Sequence, residues 1–101
     1  MKTFDDLVFE PHPIKLNFDR IYAGESVDPS LEEMYNARWA VMDFPNGYGI
    51  SVLFGIMFYS NGRDTYEVCD TYHGDATHGT IRAYVSRDEI TEIMKEIQQR
   101  E

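Results

Sequence analysis

The feature that most constrains the fold is an amphipathic segment at the C-terminal end of the chain. Ser86 is a helix N-cap residue, and Glu89 follows three positions later, as in a capping box. The apolar residues of the segment recur at helical spacing and form one stripe: Ile90, Ile93, Met94 and Ile97. A helix with a single apolar stripe buries that stripe against one neighbouring layer. The sequence therefore predicts a helix over 86–100 that packs on one face of a sheet.

The middle of the chain is predicted to form the sheet. Apolar and polar residues alternate, or run together as in a buried strand, over the segments 38–44, 48–59, 65–72 and 80–85. The connecting segments 45–47, 60–64 and 73–79 are too short for a crossover between parallel strands, so they join antiparallel neighbours. The predicted fold class is α+β: an antiparallel β-meander of about four strands over 37–85, with the C-terminal helix packed on one face.

Turn residues separate the predicted strands. Asn46 and Gly47 form a strong hairpin signal, since both residue types accept a positive φ. A second turn is predicted over 60–64. Gly49 and Gly55 lie inside the long second strand, where glycine is typical of a bulge or a close backbone approach.

The N-terminal third is less regular. Two prolines make residues 10–13 extended, and alternation over 14–18 predicts a strand or an extended arm. Asp28 followed by Pro29 is a helix-start signal, which predicts a short helix over 29–36. At 101 residues the chain is expected to be one domain, divided into an N-terminal arm and loop region (1–36), the β-meander (37–85) and the helix (86–100).

The net charge of the chain limits the classes of partner that it can bind. The chain has 18 acidic and 9 basic residues, a net charge of −9. The basic residues are scattered singly, whereas nucleic-acid binding needs them clustered. The sequence predicts no direct nucleic-acid or membrane binding, and an acidic surface of this kind steers toward basic protein surfaces. The alternative is that the charge only maintains solubility.

Targeting signals and disulfides are not expected. Cys69 is the one cysteine, and the opening residues have no apolar signal-peptide segment. The apolar stretch 50–59 is about half as long as a membrane helix. We therefore expect a cytoplasmic protein.

One grouping has metal-binding residue types: Cys69, Asp70, His73, Asp75 and His78. Their spacing matches no zinc template, and alternation places Cys69 and Asp70 on opposite faces of a strand. Cys69 beside a histidine also has the elements of a nucleophile and a base, but no catalytic motif is present. The alternative is a polar hairpin loop with surface histidines. We expect no enzyme activity and no cofactor, and whether Cys69, His73 and His78 bind a metal stays open.

Two sets of residues are candidates for partner binding. The first is the acidic side of the predicted helix: Asp88, Glu89, Glu92 and Glu96. The second is aromatic and belongs to the segment 48–59, which is apolar on both predicted faces: Tyr48, Phe54 and Tyr59. One helix covers one face, so the other needs the N-terminal arm, a second subunit or a partner.

Three segments carry a resemblance to a known family: Phe4–Pro13, Phe44–Val52 and Val85–Ile97. Their order and residues resemble a family of small uncharacterised proteins of tailed bacteriophages and prophages, with an F-x-N-G-Y-G-x-S-V strand pair and an acidic C-terminal helix. The shared motifs specify a fold and carry over no functional residue. The segment 19–36 resembles an insertion in that pattern. The resemblance implies a phage origin and therefore a location in the cytoplasm of a host cell. Small acidic phage proteins often bind host proteins, including nucleases.

Three functional hypotheses follow. The first is a protein that binds a host or phage protein with a basic surface, acting as an anti-defence inhibitor by nucleic-acid charge mimicry. The second is a homo-oligomeric assembly component, such as a homodimer. The third is a small metal- or thiol-dependent enzyme. The sequence favours the first.

Overall fold

A computed structural model describes residues 1–13 and 36–101 of the chain. These residues form an antiparallel sheet of six strands and a C-terminal helix, so the predicted α+β class is confirmed. The strands are β1 (Glu10–Pro11), β2 (Arg38–Asp43), β3 (Tyr48–Phe54), β4 (Thr65–Tyr72), β5 (Asp75–Ala76) and β6 (Arg82–Ser86). The helix α1 is Arg87–Gln98, and a single 3₁₀ turn, Phe4–Asp6, precedes β1. The strand predicted over 14–18 and the short helix over 29–36 fall almost entirely outside the described residues.

The sheet is the predicted meander with additions at both edges. Strands β2, β3 and β4 follow one another, with Ala40 opposite Val52 and Val52 opposite Val68. At one edge the N-terminal arm contributes β1, which pairs with β2. At the other edge β5 and β6 both pair with β4. The fourth predicted strand, 80–85, is β6 at Arg82–Ser86. The same edge also contains the two-residue strand β5, which the sequence does not predict.

The hairpin turn at Asn46 differs from the prediction, because Asn46 itself does not have a positive φ. Of the Asn46–Gly47 pair only Gly47 has a positive φ, 89°. Pro45 precedes them with a φ held near −65°, which suits the first central position of a type I turn and not of a type I′ turn. The two-residue turn with two positive φ values lies instead at His73 (49°) and Gly74 (86°), where β4 turns into β5.

Strand β3 is shorter than predicted. It ends before Gly55, whose φ is 135°. A Cβ at Gly55 would lie 3.2 Å from Cα of Ala37, so the strand end lies close against another backbone segment. The chain then turns, with the N–H of Phe58 donating to the carbonyl of Gly55. The prediction that the strand continues to Tyr59 is wrong, and residues 56–59 form a loop instead of a second apolar sheet face.

The helix forms where its sequence predicts, with one half of the predicted capping box: the Glu89 carboxylate accepts the Ser86 hydroxyl and not the Ser86 backbone N–H. Ser86 is the N-cap and its Oγ accepts the N–H of Glu89. Three residues of the apolar stripe, Ile90, Met94 and Ile97, are fully buried. They pack on the face of the sheet that presents Ala40, Ile50, Val52, Val68 and Val85. The hydrophobic core therefore lies between α1 and this one face of the sheet.

The N-terminal arm contributes to both sides of the sheet at one end. On the helix side, Phe4 and Phe9 join Phe54 and Tyr66 in an aromatic cluster with ring centroids 5.2–5.8 Å apart. On the opposite side, the ring of His12 contacts Trp39 and Phe58 at 5.3 and 5.0 Å. Burial lowers the pKa of His12 below its usual value. The arm thus covers part of the second face, one of the alternatives that the sequence left open.

Asn46 connects the hairpin turn to the end of the helix. Its Nδ2 donates to the carbonyls of Ile97 and Arg100 at 2.9 and 3.1 Å, and its Oδ1 accepts the N–H of Tyr48. The last carbonyls of a helix have no partner one turn further along it. The Ile97 carbonyl accepts the N–H of Arg100 at 3.2 Å, and Asn46 adds a second donor to it and a donor to the carbonyl of Arg100.

Replacing Asn46 with alanine is expected to lower the free energy of unfolding by about 1.5 kcal/mol, because three hydrogen bonds are lost. Asn46→Asp keeps the acceptor for Tyr48 but loses both donors and places a negative charge near the helix C-terminus, where the dipole disfavours it. Urea denaturation should therefore show Asn46→Asp at least as destabilised as Asn46→Ala. An aspartate variant that is clearly the more stable of the two would contradict the role given to the side-chain donors.

Candidate protein-binding groove

The predicted acidic residues of the helix line one groove. We call it the acidic groove, defined by Arg82, Asp88, Glu89, Glu92, Ile93 and Glu96. It is open to solvent and has a volume of about 580 Å³. Residues three or four positions apart lie on the same side of a helix, which brings these carboxylates into one stripe. Arg82 of β6 also borders the groove.

The groove carboxylates have local partners but stay largely accessible. Glu89 accepts the hydroxyl of Ser86 at 3.0 Å. Glu92 lies 3.5 Å from the Lys95 ammonium, and its side chain is 75% exposed. Ion pairs this exposed contribute little to stability. A cationic partner can therefore compete with Lys95 for Glu92 at small energetic cost, whereas Glu96 is held by two hydrogen bonds from Arg100.

A network of ion pairs around a buried aspartate connects two of the groove residues, Arg82 and Glu96. Asp70 is only 2% exposed. Its two carboxylate oxygens lie 3.4 Å from Arg82 Nη1 and 3.0 Å from Arg100 Nη2. The two guanidinium groups offset the cost of burying this charge. Arg100 also donates to Glu96 at 2.8 and 3.1 Å. These contacts raise the pKa of Arg100, with the hydrogen bond to Glu96 the largest cause and Asp70 also contributing.

Strand alternation correctly separates Asp70 from Cys69, but sequence reasoning missed this network. Asp70 shares the helix side with Val68, as the alternation of β4 predicts. Its partners are 12 and 30 residues away along the chain. The one available signal was the lone aspartate among apolar positions on a core-facing strand, since a buried carboxylate needs a partner.

The groove combines apolar and charged surface. Ile93 is half-buried and packs against the core, and it also borders the groove. A lysine or arginine side chain has an apolar stem and a charged head. Such a side chain suits the groove, because its stem would lie against Ile93 while its head reaches the carboxylates.

The three aromatic candidates lie elsewhere and apart from one another. The Tyr48 ring is tilted against that of Tyr72 at the hairpin end, with centroids 4.9 Å apart, and the Arg100 guanidinium lies 5.4 Å from its centre. Phe54 belongs to the aromatic cluster with Tyr66. Tyr59 is 57% exposed in the loop that follows β3. The structure therefore brings the four acidic candidates into one groove and does not join the aromatic ones to it.

The residues with metal-binding potential are not assembled. Cys69 lies on the sheet face opposite Asp70, and its Sγ is 3.3 Å from Oγ1 of Thr80. His73 occupies the turn after β4, with its ring 4.1 Å from that of Tyr72, and His78 is exposed. Within residues 1–13 and 36–101, no group of three or more His, Cys, Asp and Glu side chains is arranged to hold a metal ion.

Comparison with other proteins adds no assignment. No protein-family model, curated protein or solved structure matches the chain. The resemblance to phage and prophage proteins stays a prediction. In the described part of the chain, no helix has both the length and the apolar character needed to span a membrane.

Proposed function

We propose that the protein is a non-enzymatic binding module whose acidic groove takes up basic side chains of a partner protein. The observation that carries this proposal is the convergence of four carboxylates on one groove that also contains apolar surface from Ile93. An apolar floor with a charged rim provides contact area as well as charge.

The net charge of the chain supports the same kind of partner. At −9 the molecule attracts basic surfaces over distances of about one Debye length, roughly 8 Å at physiological salt. Complementary charge of this kind raises the rate of association and excludes acidic partners. Long-range attraction would bring a basic surface near, and the groove would then select the side chains that fit.

The finer part of the proposal is that the partner is a host or phage protein that handles nucleic acid. Glu89, Glu92 and Glu96 succeed one another along the helix axis at about 4.5–6 Å, from a rise of 1.5 Å per residue. A single nucleic-acid strand also presents one row of regularly spaced negative charges. This likeness supports competition for a site that binds a single strand, since a duplex presents two rows.

The experiment reverses the groove charges. We expect the triple variant Glu89→Lys, Glu92→Lys and Glu96→Lys to bind a fluorescent lysine-rich peptide at least about 100-fold more weakly than the unchanged protein. Fluorescence anisotropy measures the affinity, and circular dichroism checks that the fold is kept. A second variant with glutamine at the same positions removes the charge without introducing repulsion from Arg100.

A matched control separates the groove from the overall charge. Glu10, Asp75 and Glu101 are exposed and lie outside the groove, so changing them to lysine alters the net charge equally. If this control loses as much affinity as the groove variant, binding depends on net charge and the groove proposal is wrong. The natural partner is then sought by affinity capture with the unchanged protein and the groove variant side by side, at low and at high salt.

A further inference from the structure

The turn between the loop after β3 and strand β4 is organised around one asparagine side chain. Oδ1 of Asn61 accepts three backbone N–H groups, from Arg63 at 2.9 Å and from Asp64 and Thr65 at 3.0 Å each. Its Nδ2 donates to Oδ1 of Asp64 at 2.6 Å. The side-chain amide is thus held at both ends, with its oxygen facing a set of backbone donors.

The residue after this asparagine is Gly62. It has a φ of 70° and no side chain of its own, and Cγ2 of Ile56 lies 2.8 Å from the place that a Cβ would take. Its N–H donates to Oγ of Ser60 at 3.1 Å, and the Ser60 hydroxyl in turn donates to the carbonyl of Thr65. Asn61 itself is exposed. An exposed asparagine followed by glycine has the two groups that form a succinimide, the side-chain amide carbon and the next backbone nitrogen.

We propose that Asn61 and Gly62 form a self-modification site, at which the folded turn promotes deamidation. The Gly62 nitrogen forms a bond to Cγ of Asn61, and the bond between Cγ and Nδ2 breaks. Water carries the Gly62 proton to the departing nitrogen, which leaves as ammonia. A second water then opens the succinimide at either carbonyl carbon and yields aspartate or isoaspartate at position 61. Nothing is oxidised or reduced.

The geometry favours this reaction because negative charge develops on Oδ1 when the Gly62 nitrogen attacks. Backbone N–H groups aimed at such an oxygen act as an oxyanion hole, and here three of them are in place before the reaction begins. Asp64 is a positioning residue: its carboxylate holds the leaving nitrogen and orients the amide plane.

The chain contains a second Asn–Gly pair, at Asn46 and Gly47, which serves as an internal comparison. Oδ1 of Asn46 accepts one backbone N–H, and its Nδ2 donates to the carbonyls of Ile97 and Arg100. The Gly47 N–H donates to the carbonyl of Phe44. This side chain has one backbone donor toward its oxygen in place of three, and it is half-buried, so the fold should protect it from deamidation.

The modification would change the loop it belongs to. The product has a new carboxylate at position 61 beside Asp64, and it loses the donor that now contacts Asp64. Ser60 Oγ, which accepts the N–H groups of both Gly55 and Gly62, connects the turn to the end of β3. Isoaspartate also adds one carbon to the main chain. We expect the exposed loop 56–59 to rearrange as the product accumulates.

The test follows both asparagines by peptide mass spectrometry, with the full chain incubated at mildly alkaline pH, folded in buffer or unfolded in urea. We expect the folded state to deamidate Asn61 about tenfold faster than the unfolded state does, because the oxyanion donors exist only in the fold. Asn46 should react more slowly folded than unfolded. A rate at Asn61 that is equal or lower in the folded protein overturns the proposal.

A variant tests the part given to Asp64. Asp64→Ala should lower the folded-state rate at Asn61 toward the unfolded rate, while the rate at Asn46 stays the same and reports that the fold is intact. Asp64→Asn, which keeps an acceptor for Nδ2, should restore part of the rate. An Asn61 rate that does not change in Asp64→Ala would show that the carboxylate does not position the amide.

Discussion

Replacing Gly49 with alanine is expected to lower the free energy of unfolding by about 3 kcal/mol, through overpacking in the middle of the sheet. A Cβ at this position would lie 2.5 Å from the carbonyl oxygen of Met42, 2.5 Å from Oγ1 of Thr71 and 2.9 Å from Oδ1 of Asp43. The Met42 carbonyl belongs to the paired strand β2 and cannot move without disturbing the ladder. The loss comes from space alone, because the backbone of Gly49 is not in the left-handed region.

Gly74 provides the matched control for this prediction. Its φ is 86°, but a Cβ there would meet no atom within 4 Å. Gly74→Ala should therefore lower the free energy of unfolding only by the cost of an alanine in the left-handed backbone region, about 1 kcal/mol. Urea denaturation measures both variants, and adding Thr71→Ala to Gly49→Ala should restore part of the loss. If Gly49→Ala is no more destabilised than Gly74→Ala, the close approach is not a constraint on the fold.

Replacing Asp70 with alanine is expected to lower the free energy of unfolding by about 2.5 kcal/mol. The change removes the one carboxylate that contacts both Arg82 and Arg100 beneath the helix. The loss should fall below that of a fully buried pair, because the two arginine side chains are 42% and 27% exposed and can turn toward water.

Two comparisons make the Asp70 result specific. Asp70→Asn keeps the shape and one acceptor oxygen, so it should lose less than Asp70→Ala. Asp43→Ala removes an exposed carboxylate from β2 and should change stability by less than about 0.5 kcal/mol. Thermal and urea unfolding check all three variants. An Asp70→Ala variant as stable as Asp43→Ala would contradict the structural role of the network.

The acidic groove was predictable in part. Helical period alone places Glu89, Glu92 and Glu96 on one side of α1, and no tertiary information is needed for that. The sequence does not show which strand lies beside these carboxylates. Arg82 reaches the groove because the chain turns at His73 and Gly74 and then returns along β4, and that return path depends on pairing between strands.

The positions of the three aromatic candidates, in contrast, could not be predicted from the sequence. Tyr48, Phe54 and Tyr59 were grouped because they share one apolar stretch, but Gly55 ends the strand between Phe54 and Tyr59. A glycine inside an apolar run is compatible with a continuing strand, a bulge or a turn. The close approach of Ala37 accompanies the turn in this protein, and sequence spacing carries no information about that contact.

The sequence by itself determined the local elements: the helix capped by Ser86, its apolar stripe, and the strand Thr65–Tyr72 with Asp70 and Cys69 on opposite faces. Periodicity and capping act between near neighbours, so they can be read from residue order. The tertiary structure decided the end of β3, the clamp of Asn46 on the helix end and the pairing of Asp70 with two arginines. Each of these depends on residues far apart in the chain, whose contact energies appear only when the sheet and helix have come together.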